Sequence, residues 1–508
     1  MSLDLSRRAM LGAAAAGAAS IALPARAALA PAHIDLTGKT ATTPFPHYWE
    51  ACVGSDRAAV AMRAQWQADL AQAHREAGFK SVRFHGLFDD EMGLCRRIGP
   101  NGPELNFLYI DQIFDAMLAM GVRPFVELSF MPLPLASNNN TIFWYRGNTS
   151  PPRDMALWVQ VIEGLARHLL ARYGAAEVTG WRFEVWNEPN LNFWSGTQTQ
   201  YFELYAATAR ALKAIDPRLQ VGGPATAQLM WIDDFLLYCA QHKAPVDFVS
   251  SHIYADDPQE NLFGRDMHYP REMVIPRALE VAGTKIRASA FPGIPLVISE
   301  WTSQNPAFIA QTIRDCAGLC DTFSYWTFDN IFEEHAPIEG FDNTLYGLIG
   351  QSGVARPSYR AFQLLHRLGD QRLDLGRSVP AIATRRADDS IAVLAWNLIT
   401  NADVSGMTGN PMTAPGVEPI LDGPARAITL ALPAGTRGAQ VTQVDIANDP
   451  VSHLYTQMGR PPSPSPTQIA TLRSAGLLPT PTQVSARSGV LRIDVPANGL
   501  ALIEIAGS

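Results

Sequence analysis

Trp181-Arg182-Phe183-Glu184-Val185-Trp186-Asn187-Glu188-Pro189-Asn190 reads as a strand that ends on an acid. Phe183 and Val185 alternate with polar neighbours between two tryptophans, and Pro189 cannot donate to a central ladder, so the strand stops near Glu188. A short apolar run over 295–299 ends the same way, in Glu300-Trp301. Acids at the C-terminal tips of buried strands are where barrel enzymes place their chemistry.

Working outward, apolar runs at 48–53, 81–84, 123–128, 181–186, 219–222, 248–253, 296–299 and 323–327 predict strands. Amphipathic stretches such as 58–77, 110–120, 154–173 and 201–215 lie between them. Eight such strands predict an α/β fold, a (β/α)8 TIM barrel. Glu188 and Glu300 lie 112 residues apart, and a βα unit takes about 31 residues of a roughly 250-residue barrel. With modest insertions that is three units, which puts Glu188 after the fourth strand and Glu300 after the seventh, on one face.

With 508 residues the chain is longer than one barrel needs. Beyond a helix-like stretch at 357–368, alternating runs at 391–397, 427–432, 441–446, 490–495 and 500–505 predict antiparallel strands of a C-terminal accessory β-sandwich. Residues 33–37 alternate in the same way and are expected to pair into it. The expected division is a signal segment at 1–30, an N-terminal strand region at 31–45, the catalytic barrel at 46–370 and the sandwich at 371–508. The proline-rich 461–466 reads as a surface loop.

Ser6-Arg7-Arg8, an alanine-rich apolar run over 11–23 and small-residue sites at Ala25-Arg26-Ala27 and Ala28-Leu29-Ala30 predict a twin-arginine export signal, hence a periplasmic or secreted protein. The run falls short of the roughly 20 residues that span a bilayer, so no membrane is expected for the mature form. Forty basic against 48 acidic residues, net charge -8, argue against nucleic acid as a partner. Five scattered cysteines give no disulfide framework. Cys316 and Cys320 read as buried thiols rather than metal ligands, since no second pair accompanies them and the nearest histidine in sequence is His335.

Two carboxyl groups on one face suit retaining glycoside hydrolysis, in which a protonated acid assists the leaving group and an ionised one attacks the anomeric carbon, the two carboxyl groups standing about 5–5.5 Å apart. Glu188 fits the acid: Asn187 beside it can bind a sugar hydroxyl, and Trp186 and Trp181 can raise its pKa by desolvation. Glu300 fits the nucleophile. Either glutamate alone could as well cap a helix or bind an arginine; the three-unit spacing favours catalysis. His85 at the second strand, His252 and Tyr254 at the sixth and Trp326 at the eighth are expected on the same face. Glu127 reads as structural.

The chain also resembles glycoside hydrolase family 39, which contains β-xylosidases and α-L-iduronidases. The resemblance rests on His47-Tyr48-Trp49-Glu50-Ala51-Cys52-Val53-Gly54, Arg83-Phe84-His85-Gly86-Leu87-Phe88-Asp89-Asp90, Trp186-Asn187-Glu188-Pro189-Asn190, Tyr325-Trp326-Thr327-Phe328, Tyr455-Thr456-Gln457-Met458-Gly459-Arg460-Pro461 and Val495-Pro496-Ala497-Asn498-Gly499. It implies Glu188 as acid/base, Glu300 as nucleophile and Asn187 as partner of the 2-hydroxyl. His85, His252, Tyr254 and Trp326 would line the subsite for the non-reducing sugar, and Glu333 and Glu334 match a loop that approaches it. No metal and no cofactor is implied, the partner is a small glycoside or oligosaccharide, and a homo-oligomer is compatible with it. Phe341-Asp342-Asn343-Thr344-Leu345-Tyr346-Gly347 replaces the glycine-rich His-Gly-Gly-Phe-Gly of bacterial xylosidases, adding bulk and a carboxylate. An iduronide would need a cation, for which Arg356 is the nominee, and Asp342 opposes it. The expectation is a β-D-xylosidase-like exo-glycosidase; the alternatives are an arabinoside, glucoside or iduronide hydrolase, or a catalytically silent carbohydrate-binding protein.

Overall fold

The computed structural model describes residues 29–337, 340–341, 346–400 and 422–507. Residues 1–28 of the expected signal segment at 1–30, and Asp342 to Leu345 of the substituted loop, lie outside the described residues. Eight parallel strands close a barrel: β1 Val53–Arg57, β2 Ser81–His85, β3 Arg123–Leu128, β4 Arg182–Val185, β5 Gln220–Thr226, β6 Phe248–His252, β7 Leu296–Trp301 and β8 Thr322–Tyr325. A helix follows each in turn, among them Ala64–Ala77, Met155–Tyr173, Gln198–Ile215, Pro306–Cys316 and, after β8, Pro357–His366. Their starts are fixed locally. Asp154 accepts from Ala156 N, Thr197 and Gln200 form a capping box, and Asn305 accepts from the first turn behind Pro306.

β1 lies downstream of the expected 48–53. The apolar run there does not form a strand: Tyr48 and Trp49 are buried ahead of it, and Cys52 joins Phe125, Phe248 and Val297 in one small apolar cluster. The strand itself is Val-Gly-Ser-Asp-Arg, buried along its whole length although mostly polar. Ser55 accepts from the Trp66 indole, Asp56 accepts from Glu333 N, and Gly54 makes room for Trp326, whose ring would lie 2.4 Å from an added Cβ. Hydrophobic periodicity is blind to such a strand because four of its five residues carry no apolar side chain.

Two further sheets stack as the accessory sandwich. Thr42–Pro44, Gln371–Leu373, Ala381–Arg385, Ile391–Trp396, Leu500–Ile505, Gly438–Val444 and Thr482–Ser485 form one; Ala32–Asp35, Arg426–Ala431 and Val490–Val495 form the other. Ile34, Val393, Leu430, Leu491 and Ile503 share the core between them. Leu394, Trp396 and Leu502 belong instead to the barrel's core, so the larger sheet is buried on both faces. Two helices, Pro450–Gln457 and Pro466–Ala475, interrupt the strands. The second corrects the reading of 461–466 as loop throughout, because Pro466 takes a first-turn position behind a Ser465–Gln468 capping box, where its missing N–H costs nothing.

Candidate active site

The end of β4 turns sharply. Trp186 and Glu188 have φ of 74° and 43°, conformations that cost a non-glycine residue on the order of 1 kcal/mol each, and Glu188 N is tied to Ala225 O at 2.8 Å. On the other side, a register shift in the β6–β7 ladder sets His252 directly opposite Glu300. By its hydrogen bonds Glu300 lies within β7, one residue before the strand ends. The turn and the shift bring the two acids together. His252 Nδ1 is 2.9 Å from Glu188 Oε1 and 3.3 Å from Glu300 Oε2, and the donor atoms of all three residues lie within 4.8 Å of one another.

Arg83 organises the floor. Fully buried, it donates to Glu300 Oε1 at 2.7 Å, Glu184 Oε2 at 2.5 Å and Asn187 Oδ1 at 2.9 Å, and lies 2.8 Å from Glu127 Oε2. Its contact with Asn187 Oδ1 fixes that amide, leaving the Nδ2 hydrogens to serve as donors. Tyr254 donates its hydroxyl to Glu300 Oε2 at 2.9 Å. His85 Nδ1 is 2.8 Å from Glu127 Oε2, Trp326 packs on His85 at 4.7 Å between ring centroids, and Glu334 reaches to 3.6 Å from His85 Nε2.

Burial, offset in part by His85 and Arg83, lifts the Glu188 carboxyl to about 7. Burial also lifts Glu300, against the pull of His252, Arg83 and His85. His252 is pushed down by burial to about 4, against the pull of Glu300. For His85 burial works downward, but the neighbouring Glu127 carboxylate outweighs it and holds the imidazole well above its ordinary value.

Of the residues singled out in the sequence, Glu188, Glu300, Asn187, His85, His252, Tyr254, Trp326 and Glu334 meet here. Glu333 turns away. Both its oxygens are taken, at 2.6 Å each, by Arg57 and Arg63. Trp181 does not surround Glu188 either; it sits before the start of β4, packed on Phe114 and Tyr173 at 5.5 Å each. Burial within the barrel, rather than two flanking tryptophans, accounts for the raised acid. Two members were missed, Arg83 and Glu184, and both had a signal: Arg83 shares its face of β2 with His85, and an arginine turned into a barrel requires buried carboxylates to match it. Phe143 was missed as well. It stacks on His85 at 6.0 Å and meets Phe193 at 5.1 Å, on a hairpin whose Trp144 N is bonded to Glu334 O.

Paired carboxylates this close, at the C-terminal mouth of a (β/α)8 barrel, define a retaining glycosidase, because an inverting pair stands roughly 6.5–9.5 Å apart to admit a water. Residues 32–488 match the model of the glycosyl hydrolases family 39, and the chain belongs to that family of enzymes. It is 35% identical to a β-xylosidase of Geobacillus stearothermophilus, over 91% of this chain and 93% of that one. It is 39% identical to a β-xylosidase of Caldicellulosiruptor saccharolyticus, over 68% of this chain and 75% of the relative. Among solved structures, a monomeric β-xylosidase from Caulobacter crescentus CB15 superposes with a TM-score of 0.81 at 31% identity, covering 94% of this chain and 99% of that one.

Proposed function

We propose that the protein is an exo-acting β-D-xylosidase in which Glu188 is the acid/base and Glu300 the nucleophile. The carrying observation is the unequal solvation of the pair. Glu300 accepts from the Arg83 guanidinium and the Tyr254 hydroxyl, whereas His252 is the one side chain hydrogen-bonded to Glu188 among the described residues. The shared proton therefore rests on Glu188. Glu300 attacks the anomeric carbon as the glycosidic C–O bond breaks and the Glu188 proton passes to the departing oxygen. The Glu188 carboxylate then takes a proton from water, whose oxygen displaces Glu300 and releases the sugar with its configuration retained.

A neutral sugar is favoured by the arginines near the site. Arg57 and Arg63 are held by Glu333, Arg83 by its carboxylates, and Arg356, the nominee for an iduronide, donates to Gly347 O at 2.9 Å. Similarity to two curated β-xylosidases supports xylose among neutral sugars. Comparing aryl β-xylosides, arabinosides, glucosides and iduronides tests the reading: highest kcat/KM is expected on the xyloside, and a preference for the iduronide would overturn it. The N-terminal pattern supports twin-arginine export to the periplasm, checked by the mass of the protein recovered there; a chain retaining its N-terminus in the cytoplasm would contradict it.

A further inference from the structure

Beyond the reaction site, a second group of two histidines and a glutamate lies at the other end of the barrel. His47 and Glu50 precede β1, and His366 ends the last barrel helix, 316 residues after Glu50. His47 Nδ1 is 2.6 Å and His366 Nδ1 2.8 Å from the same oxygen, Glu50 Oε1, and the three donor atoms lie within 4.8 Å of one another. Glu50 is buried; the two imidazoles are partly open to solvent.

The contacts around this group have the form of a ligand set. The other ring nitrogen of His47 lies 3.4 Å from Gly369 O. The short Nδ1···Oε1 contacts are hydrogen bonds to the Glu50 carboxylate; a cation would take the place of the Nδ1 proton and leave the Nε2–H of His47 on that carbonyl. Metal-ligating histidines habitually donate their second nitrogen to a backbone carbonyl in this way. Gly78, with φ +77°, makes room: a Cβ there would lie 2.4 Å from His366 Nδ1 and 2.8 Å from Glu50 Cδ. Lys80 approaches the opposite oxygen, Glu50 Oε2, at 3.5 Å, and is exposed enough to swing away.

We infer that His47 Nδ1, Glu50 Oε1 and His366 Nδ1 bind a divalent cation of the zinc class, with water completing the shell. Two imidazoles and one carboxylate suit zinc and are a poor set for magnesium or calcium, which take oxygen. Binding releases any proton that the imidazole Nδ1 atoms carry in the free form. The ion would clip the entry of the barrel to its final helix, three residues before Gly369 and the crossing into the sandwich. It takes no part in the reaction, for which no metal is expected.

The Glu188, His252 and Glu300 set has the same composition, so the test must separate the two. Chelator-treated protein is titrated calorimetrically with Zn2+ and melted with and without it. One equivalent bound at this site, with the melting temperature raised by about 3 °C and restored by EDTA, is expected. Glu50→Gln and His366→Ala should each remove that rise, Glu300→Gln should keep it, and Mg2+ should give none. His366 is part-exposed, so its variant reports even where Glu50→Gln folds poorly. No rise with Zn2+, a rise that survives His366→Ala, or one that Glu300→Gln abolishes would overturn the site.

Discussion

At the scale of residues, the reaction depends on which acid keeps the proton. Burial holds Glu188 near 7, so kcat/KM on a poor leaving group should fall as pH rises through about 7, and Glu188→Gln should erase that limb. An unchanged limb in the variant would assign the titration to another group. Glu300→Ala should lose at least about a thousandfold in kcat on an aryl xyloside, since covalent catalysis has no substitute, and azide should restore turnover with inverted product. Full activity in that variant would remove Glu300 from the mechanism. Arg83 serves fold and reaction together. Arg83→Met leaves Glu127, Glu184 and Glu300 without their shared cation and should cost about 3–5 kcal/mol, read as a large drop in melting temperature. The acids were legible in sequence because strand ends and chain spacing disclose them. Arg83 was not singled out although it shares a face of β2 with His85, and its carboxylate partners are named only once β2, β3, β4 and β7 converge.

At the scale of elements, apolar runs located seven barrel strands to within a few residues and displaced the first. β1 is polar and fully buried, with Ser55 and Asp56 hydrogen-bonded to partners elsewhere in the chain. Helix starts were easier, since capping is local. Thr197→Ala should lower stability by about 1 kcal/mol, measured by thermal unfolding, through loss of one capping box. A melting temperature indistinguishable from the parent's would show that packing of Gln198–Ile215 alone sets its start. The register shift opposite Glu300 had no sequence signal, for it depends on how β6 and β7 pair.

At the scale of the whole molecule, the barrel and the sandwich share a core. Leu394, Trp396 and Leu502 pack with the barrel, Arg314 lies over the Trp396 ring at 4.9 Å, and Asn305 donates to Asn498 at 2.9 Å. The accessory sandwich was visible in sequence as a change from helical to alternating pattern, but the burial of its larger sheet on both faces was not. Asp69, Asp89 and Asp257 are lifted by burial to about 7, 8 and 8, as Glu188 is to about 7. Raised carboxyls bind protons in the folded state that the unfolded chain releases, so stability should be greatest below the ordinary carboxylate range for these groups and decline as pH rises through 7 to 8. Melting temperatures that climb from pH 6 to pH 9 would contradict that sign. The central claim, that Glu300 forms the glycosyl-enzyme while Glu188 moves the proton, is tested most directly by trapping. After reaction with an activated 2-deoxy-2-fluoro-β-xyloside, peptide mapping by mass spectrometry should find one fluoroxylosyl group, on Glu300; an adduct on Glu188 or another carboxylate, or turnover of β-xylosides with no covalent species, would contradict it.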